Sequence, residues 1–256
     1  MNYHLTDFPV VVLVFSFLLL WLSGRLGTWF RNKKQKTDEA ASADAGLILG
    51  ATLTLLGLII GFTFSMAISR YEQRKNYEAE EANAIGTEYA RGDVLPAGDA
   101  QRLRALLAQY TKQRILFYEA SHEQQLRRVN ADTAQLQKEL WFAVVGPASS
   151  QTTPLTALAV SGMNDVLNSQ GYTQAAWWNR IPASAWGLMV TIALCCNLLI
   201  GYCTRRTGAE SVVFLVLTLV VSISFFLIAD IDSPRGGIIR VQPENLVNLS
   251  QSFLPQ

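Results

Sequence analysis
The chain has 256 residues, half of them hydrophobic, and a formal net charge of +1 at neutral pH. Its mean hydropathy of +0.20 is too high for an ordinary soluble domain of this length, so the expectation is a membrane protein. The balanced charge excludes a basic nucleic-acid binder. Cys195, Cys196 and Cys203 share one apolar run, without the spacing of a disulfide framework or a zinc site, and read as buried thiols. His4 and His122 lie far apart and have no ligand pattern around them. No cofactor or metal is expected. No GxSxG, HExxH, Walker or Cys-His constellation points to an enzyme.

In chain order, the first charge-free run is "FPVVVLVFSFLLLWLSG", between Asp7 and Arg25. It is just long enough to span a bilayer, and it lacks the basic start and Ala-x-Ala site of a removed signal peptide. A basic loop follows, with Arg25, Arg31, Lys33, Lys34 and Lys36. The second span is read as 46–69, the third as 181–204 and the fourth as 211–229. Trp21, Trp29, Trp186 and Tyr202 fall near span ends, where amphipathic aromatics favour the interface. The expected fold is therefore an all-α integral membrane protein. Residues 1–45 form a first helix and basic loop, and 46–256 a second region with a helical extramembrane insert at 70–180 and a tail at 230–256.

The second span carries two patterns. At about 100° per residue, Gly46, Gly50, Gly57 and Gly61 fall within about 60° of one another and form two GxxxG pairs, which read as a helix-packing stripe. Beside them lie Thr54, Leu58, Phe62, Ser65 and Ser69. Past the membrane edge the same sector collects Glu72, Asn76 and Glu80. Such a face lines a water path, or it is the solvated side of an exposed helix. The opposite side carries the like-charged neighbours Arg70–Arg74 and Glu78–Glu81, which require partners in the insert or in another subunit.

The insert reads as helices throughout. "LPAGDAQ" (95–101) is a break with Asp99 able to start a helix, and Leu103, Leu106, Leu107 and Tyr110 recur at helical spacing. "SHEQQLRR" (121–128) restarts at Ser121 and Glu123, and "VGPAS" (145–149) reads as another break. Thr153 reads as a cap, with Pro154 at the first helical position. The positive-inside rule puts the 25–45 loop and Arg205–Arg206 in the cytoplasm, and both termini and the insert outside.

Three segments resemble the bacterial bestrophin-like domain family: "GFTFSMAISRYEQRKNYEAEEANAIGTEYARGDVLP", "LNSQGYTQAAWWNRIP" and "LIADIDSPRGGIIRVQPENLVNL". The resemblance covers roughly residues 46–250, and that family is distantly similar to the bestrophins. The resemblance implies a homopentameric ion channel in a bacterial inner membrane, with four spans per subunit. The second helix of each subunit lines the pore, holds an apolar neck and runs on into a helical vestibule. The order Gly61, Phe62, Ser69, Arg70, Arg74 is like theirs, which puts the neck at Leu58 and Phe62, with Thr54 one step toward the other mouth. Ser65, Ser69, Glu72, Asn76 and Glu80 then face the vestibule. "DIDSPRGG" is like the turn after the last bestrophin span and implies a structural turn at Asp230, Asp232 and Pro234. Eukaryotic members bind calcium there. Two aspartates fall short of the six to eight oxygens calcium takes, so no metal is expected.

The sequence departs from bestrophins in two ways. Theirs is a cytoplasmic helical domain, opposite to the charge-based orientation. Animal bestrophins conduct anions, whereas Glu72 and Glu80 repeated around an oligomer favour cations. The partners implied are the lipid bilayer, further copies of the chain and small ions. The alternative is a membrane-anchored sensor or scaffold whose helical domain binds a partner or ligand.

Overall fold
The computed structural model describes residues 5–33, 39–150, 153–203 and 208–254, all helical apart from short connections. The helices are α1 (Pro9–Lys33), α2 (Glu39–Arg91), α3 (Ala97–Glu119), α4 (Glu123–Ser150), α5 (Pro154–Trp178), α6 (Ala183–Cys203), α7 (Gly208–Asp232) and α8 (Glu244–Ser252). The chain divides into two compact units: Asn2–Ser69 with Arg180–Ile239, and Arg70–Asn179 with the chain from Arg240. Among the described residues, four stretches of helix are long and apolar enough to cross a membrane. His4, Lys34, Lys36, Arg205 and Arg206 lie outside the described residues.

The first unit contains α1, α6, α7 and the apolar part of α2. α1 continues past Arg25 to Lys33, longer than the charge-free run alone suggests. Its final turns hold Arg25 5.0 Å from the Trp21 ring and Lys33 5.2 Å from the Trp29 ring, so the rings shelter the charges that end the span. Glycines bring α1 and α6 into backbone contact. A Cβ on Gly201 would lie 2.0 Å from the Gly24 carbonyl oxygen, and one on Gly27 would lie 2.1 Å from that of Leu198. Such approaches let helices associate where lipid supplies no hydrophobic drive. Polar groups between spans are matched: Ser23 donates to the Leu194 carbonyl at 2.7 Å and Thr218 to Asn197 at 2.9 Å. The cysteines are not uniformly buried: Cys196 is, Cys203 is intermediate and Cys195 is exposed. An apolar run places some side chains against lipid and others against protein, which composition does not distinguish.

α6 starts at Ala183, two residues later than the apolar run, because Pro182 disfavours helical backbone at Ile181. The Ile181 N–H donates instead to the buried Asp232 carboxylate at 3.1 Å. Asp230 accepts from the amides of Ile238 (2.7 Å) and Ile239 (2.9 Å). These aspartates hold the chain where it leaves α7, with Pro234 buried in the turn. Gly237 lies so close to the Asp230 carbonyl (2.3 Å to an added Cβ) that a side chain there would clash.

The second unit is a helical layer. Leu103, Leu107, Tyr110 and Phe117 of α3 pack with Leu140 and Val144 of α4, Met163 and Val166 of α5, and Ile85 of α2. α3 starts directly after Pro96, so Asp99 sits in its first turn and is not the cap. Ser121 bonds back to the Glu119 carbonyl, and α4 begins at Glu123. "VGPAS" is not a break. Pro147 lies inside α4, near its end, where its missing N–H forfeits one bond and the helix stops three residues later. Thr153 caps α5 through the Thr156 amide at 3.1 Å, with Pro154 at the first helical position.

The charged side of α2 is buried in this unit, with Arg74, Glu78 and Glu81 each no more than 1% exposed. Glu81 accepts from Arg114 Nε of α3 at 2.5 Å and from the Thr173 hydroxyl of α5 at 3.2 Å. Glu78 accepts from the Leu246 amide at 2.9 Å and the Asn245 side chain at 2.6 Å, so a carboxylate caps the start of α8. The partners expected for Glu78 and Glu81 are therefore in the insert and tail. Burial lowers the affinity of Arg114 for its proton, but Glu81, joined by Tyr110 and Tyr118, raises it by more and holds the guanidinium charged. Burial, then Glu81, pushes the hydroxyls of Tyr110 and Tyr118 up, so both stay neutral.

Two turns beyond Glu81, Glu88 is fully buried, 3.8 Å from Arg91, and neither carboxyl oxygen has a hydrogen-bond donor. It fits against Gly162 of α5, where a Cβ would come within 2.1 Å of it. Burial pushes its pKa up from 4.5 to about 8, opposed by Arg91 and reinforced by Asp165.

Two outcomes follow from these buried charges. Arg114→Met alone strands Glu81 and lowers unfolding stability by about 3–5 kcal/mol, while Glu81→Leu added to it recovers most of the loss. Thermal unfolding of the parent and the two variants in detergent checks this. The folded protein binds the Glu88 proton more tightly than the unfolded chain does. That contribution is therefore complete below pH 4.5, falls as pH rises and is gone above about 8. Glu88→Gln removes this decline, seen as a flatter melting temperature between pH 5 and pH 9 than in the parent.

Candidate functional site
The candidate site is the side of α2 that its own chain leaves open. In the apolar part of the helix only Leu56, Thr63 and Ala67 are buried, seven and four residues apart and so on one edge. The other side is bare: Leu58 is 54% exposed and Phe62 66%. Thr54, Ser65 and Ser69 are exposed as well, and the Thr54 hydroxyl donates back to the Gly50 carbonyl at 3.0 Å, which satisfies it within the helix.

In the polar part, Glu72, Asn76 and Glu80 are exposed, while Arg74, Glu78, Glu81 and Glu88 form the buried side. Arg70 is half-buried and donates to Asn179 at 3.0 Å. Within the first unit Thr54, Leu58, Phe62, Ser65 and Ser69 recur every three or four residues, and within the second Glu72, Asn76 and Glu80 recur every four, so each set keeps to one side of a helix of 3.6 residues per turn. No Gly or Pro interrupts the sequence of α2 between Phe62 and Ile85.

The glycines behave differently from those of α1 and α6. Gly46, Gly50, Gly57 and Gly61 are exposed, and a Cβ at any of them would meet no atom within 4 Å. Their stripe is open surface within the chain. Asp230, Asp232 and Pro234 lie at a different place, at the end of α7, where both carboxylates are committed to backbone amides. Among the described residues no cluster of three or more His, Cys, Asp or Glu has the geometry to hold a metal.

Several residues that position α2 escape a reading of α2 alone. Arg114, Thr173 and Asn245 supply the partners of Glu78 and Glu81 from three other helices. Arg114 did carry a signal. It continues the apolar series Leu103, Leu107, Tyr110 on α3, a charge on a core-facing stripe, which demands a buried counter-charge.

The fold has known counterparts. Among solved structures, a point variant of a bacterial bestrophin homologue from Klebsiella pneumoniae is 13% identical. The match covers 96% of this chain and 97% of that one, with a TM-score of 0.63. A second variant of the Klebsiella homologue is 15% identical over 94% and 95% of the two chains, with a TM-score of 0.66. At such identity the likeness establishes the fold. No curated protein matches the chain by sequence. The Bestrophin-like domain matches residues 10–246, which takes in most of the first span and the three resembling segments apart from the last three residues of the third. With nearly the whole chain inside that match, the protein belongs to the Bestrophin-like domain family.

Proposed function
We propose that the chain assembles as a homopentameric ion channel with α2 at its axis and Leu58 and Phe62 as an apolar neck. The observation that carries the reading is the asymmetry of α2. A membrane-grade helix is buried along one edge only and leaves large apolar side chains uncovered, in a chain of bestrophin-like fold. Further copies arranged about a common axis would enclose that side and turn Leu58 and Phe62 into a ring narrow enough to exclude water when closed. The adjacent glycine stripe, open within the chain, would let neighbouring α2 helices approach closely. Thr54 lies on the neck's far side, and Ser65, Ser69, Glu72, Asn76 and Glu80 would line the wider mouth. Rings of Glu72 and Glu80 favour cations in that mouth.

Three measurements test the assembly and its neck. Cysteine placed at Leu58 in an otherwise cysteine-free protein forms disulfide-linked subunit pairs in membranes, whereas cysteine at Leu188, on α6, does not. Phe62→Ala raises ion flux through reconstituted vesicles well above the parent level, because the ring loses its largest apolar side chain. Glu72→Gln with Glu80→Gln moves the reversal potential in a salt gradient toward the anion side. A solubilised particle with the mass of one chain overturns the pore. An intact oligomer that conducts in none of these forms supports a membrane-anchored scaffold instead.

A further inference from the structure
A second feature lies away from α2. In the membrane-spanning unit, α1 and α6 are separated along part of their length by a groove of about 350 Å³. Phe15 and Leu19 of α1 form one wall and Trp186, Val190 and Leu194 of α6 the other, above Phe225 of α7. Trp186 meets Phe225 edge to face at 6.2 Å, which fixes the groove floor. The walls are apolar nearly throughout. Ser16 lines the groove, but its hydroxyl bonds within α1 to the Leu13 carbonyl at 3.1 Å. The polar groups collect at one end, where Thr6 and Arg180 lie and Arg180 pairs with Asp7 through one nitrogen.

The dimensions of the groove select its occupant. From Ala183 to Leu194 its wall is about 16 Å of α-helix, close to the ~15 Å hydrocarbon depth of one leaflet. Apolar walls of that length, with a cation at one end, suit a single hydrocarbon chain that carries an anionic headgroup. The charged end coincides with the start of α6, at the headgroup level of a span. Arg180 has five N–H donors and its side chain is 15% exposed, so it has donors beyond the one turned to Asp7. A phosphodiester is the anion a membrane presents at that depth, and a guanidinium pairs with it well.

We propose that this groove is a binding site for one bilayer phospholipid, its phosphate on Arg180 and one acyl chain lying between α1 and α6 as far as Leu194. The lipid covers apolar surface that neither helix buries against the other, and it ties the two spans together.

Native mass spectrometry of the full chain, after exchange into detergent and titration with a phosphatidylglycerol of defined chain length, tests the site. The parent retains phospholipid in proportion to its chains. Val190→Phe and, separately, Leu194→Phe fill the groove and weaken retention about tenfold or more, the loss expected when two or more methylenes leave it. Arg180→Gln weakens retention of the phospholipid but not of the matching diacylglycerol. Leu188→Phe, at an exposed position on α6 outside the groove lining, retains lipid like the parent. Melting temperatures confirm that each variant is folded, and the two filling variants no longer gain stability from added phospholipid. Equal retention by the folded filling variants overturns the site. So does efficient crosslinking of cysteine at Phe15 to a neighbouring subunit, which would show a second copy over the groove. Unchanged phospholipid affinity in folded Arg180→Gln overturns the headgroup assignment.

Discussion
The contact between Glu81 and Arg114 determines which way α2 faces. Both side chains are fully buried, and a buried charge without its partner costs several kcal/mol, so this stretch of helix has little freedom to rotate. Thr173 takes a second interaction with the same carboxylate, and Glu78 is fixed to the start of α8. Once those acids face inward, helical geometry leaves Glu72, Asn76 and Glu80 facing outward. The exposed acids of the proposed pore are therefore a consequence of the buried ones. Substitutions at Arg114 would alter the stripe without touching it.

The same constraint explains an apparent excess of charge on one helix. Arg74, Glu78, Glu81 and Glu88 follow one another at intervals of four, three and seven residues, a spacing that marks one face. A solvated helix would scatter its charges round the cylinder. Here one set is buried and individually partnered, and the other is open and evenly spaced. Glu88 is the exception within the buried set. Without a hydrogen-bond donor it is better accommodated as the neutral acid, against a glycine that leaves it just enough room. The buried face thus combines fixed charges, which orient the helix, with one group whose charge depends on pH.

Much of the architecture was legible because membrane spans and helix caps depend on local sequence. The apolar runs located the four spans, and Thr153–Pro154 marked the start of α5. The open stripe from Thr54 to Glu80 could be drawn from spacing alone, since it depends only on helix periodicity. What failed was also physical. Pro147 looked like a break, but near the end of a helix a proline forfeits only one hydrogen bond. The cysteines looked buried, but a span presents one side to lipid and another to protein. The bond from Ile181 to Asp232 joins residues 51 apart in sequence, and no local pattern announces such a partner.

The two sets of glycines show what a single chain leaves incomplete. Gly27 and Gly201 each meet the backbone of another span and could not carry a side chain without forcing α1 and α6 apart, and Gly24 leaves room for the Phe214 ring of α7. Gly46, Gly50, Gly57 and Gly61 have the same spacing logic but nothing opposite them. Glycine in a helix interior costs up to about 1 kcal/mol relative to alanine, so four of them on one stripe need compensation. Inside the chain that compensation is absent for α2 and present for α1 and α6. The imbalance is resolved if α2 obtains its close contacts from other copies, the same copies that would cover Leu58 and Phe62. The glycine stripe and the apolar neck are then two requirements of one assembly, because a neck of this kind closes only when its helices can approach.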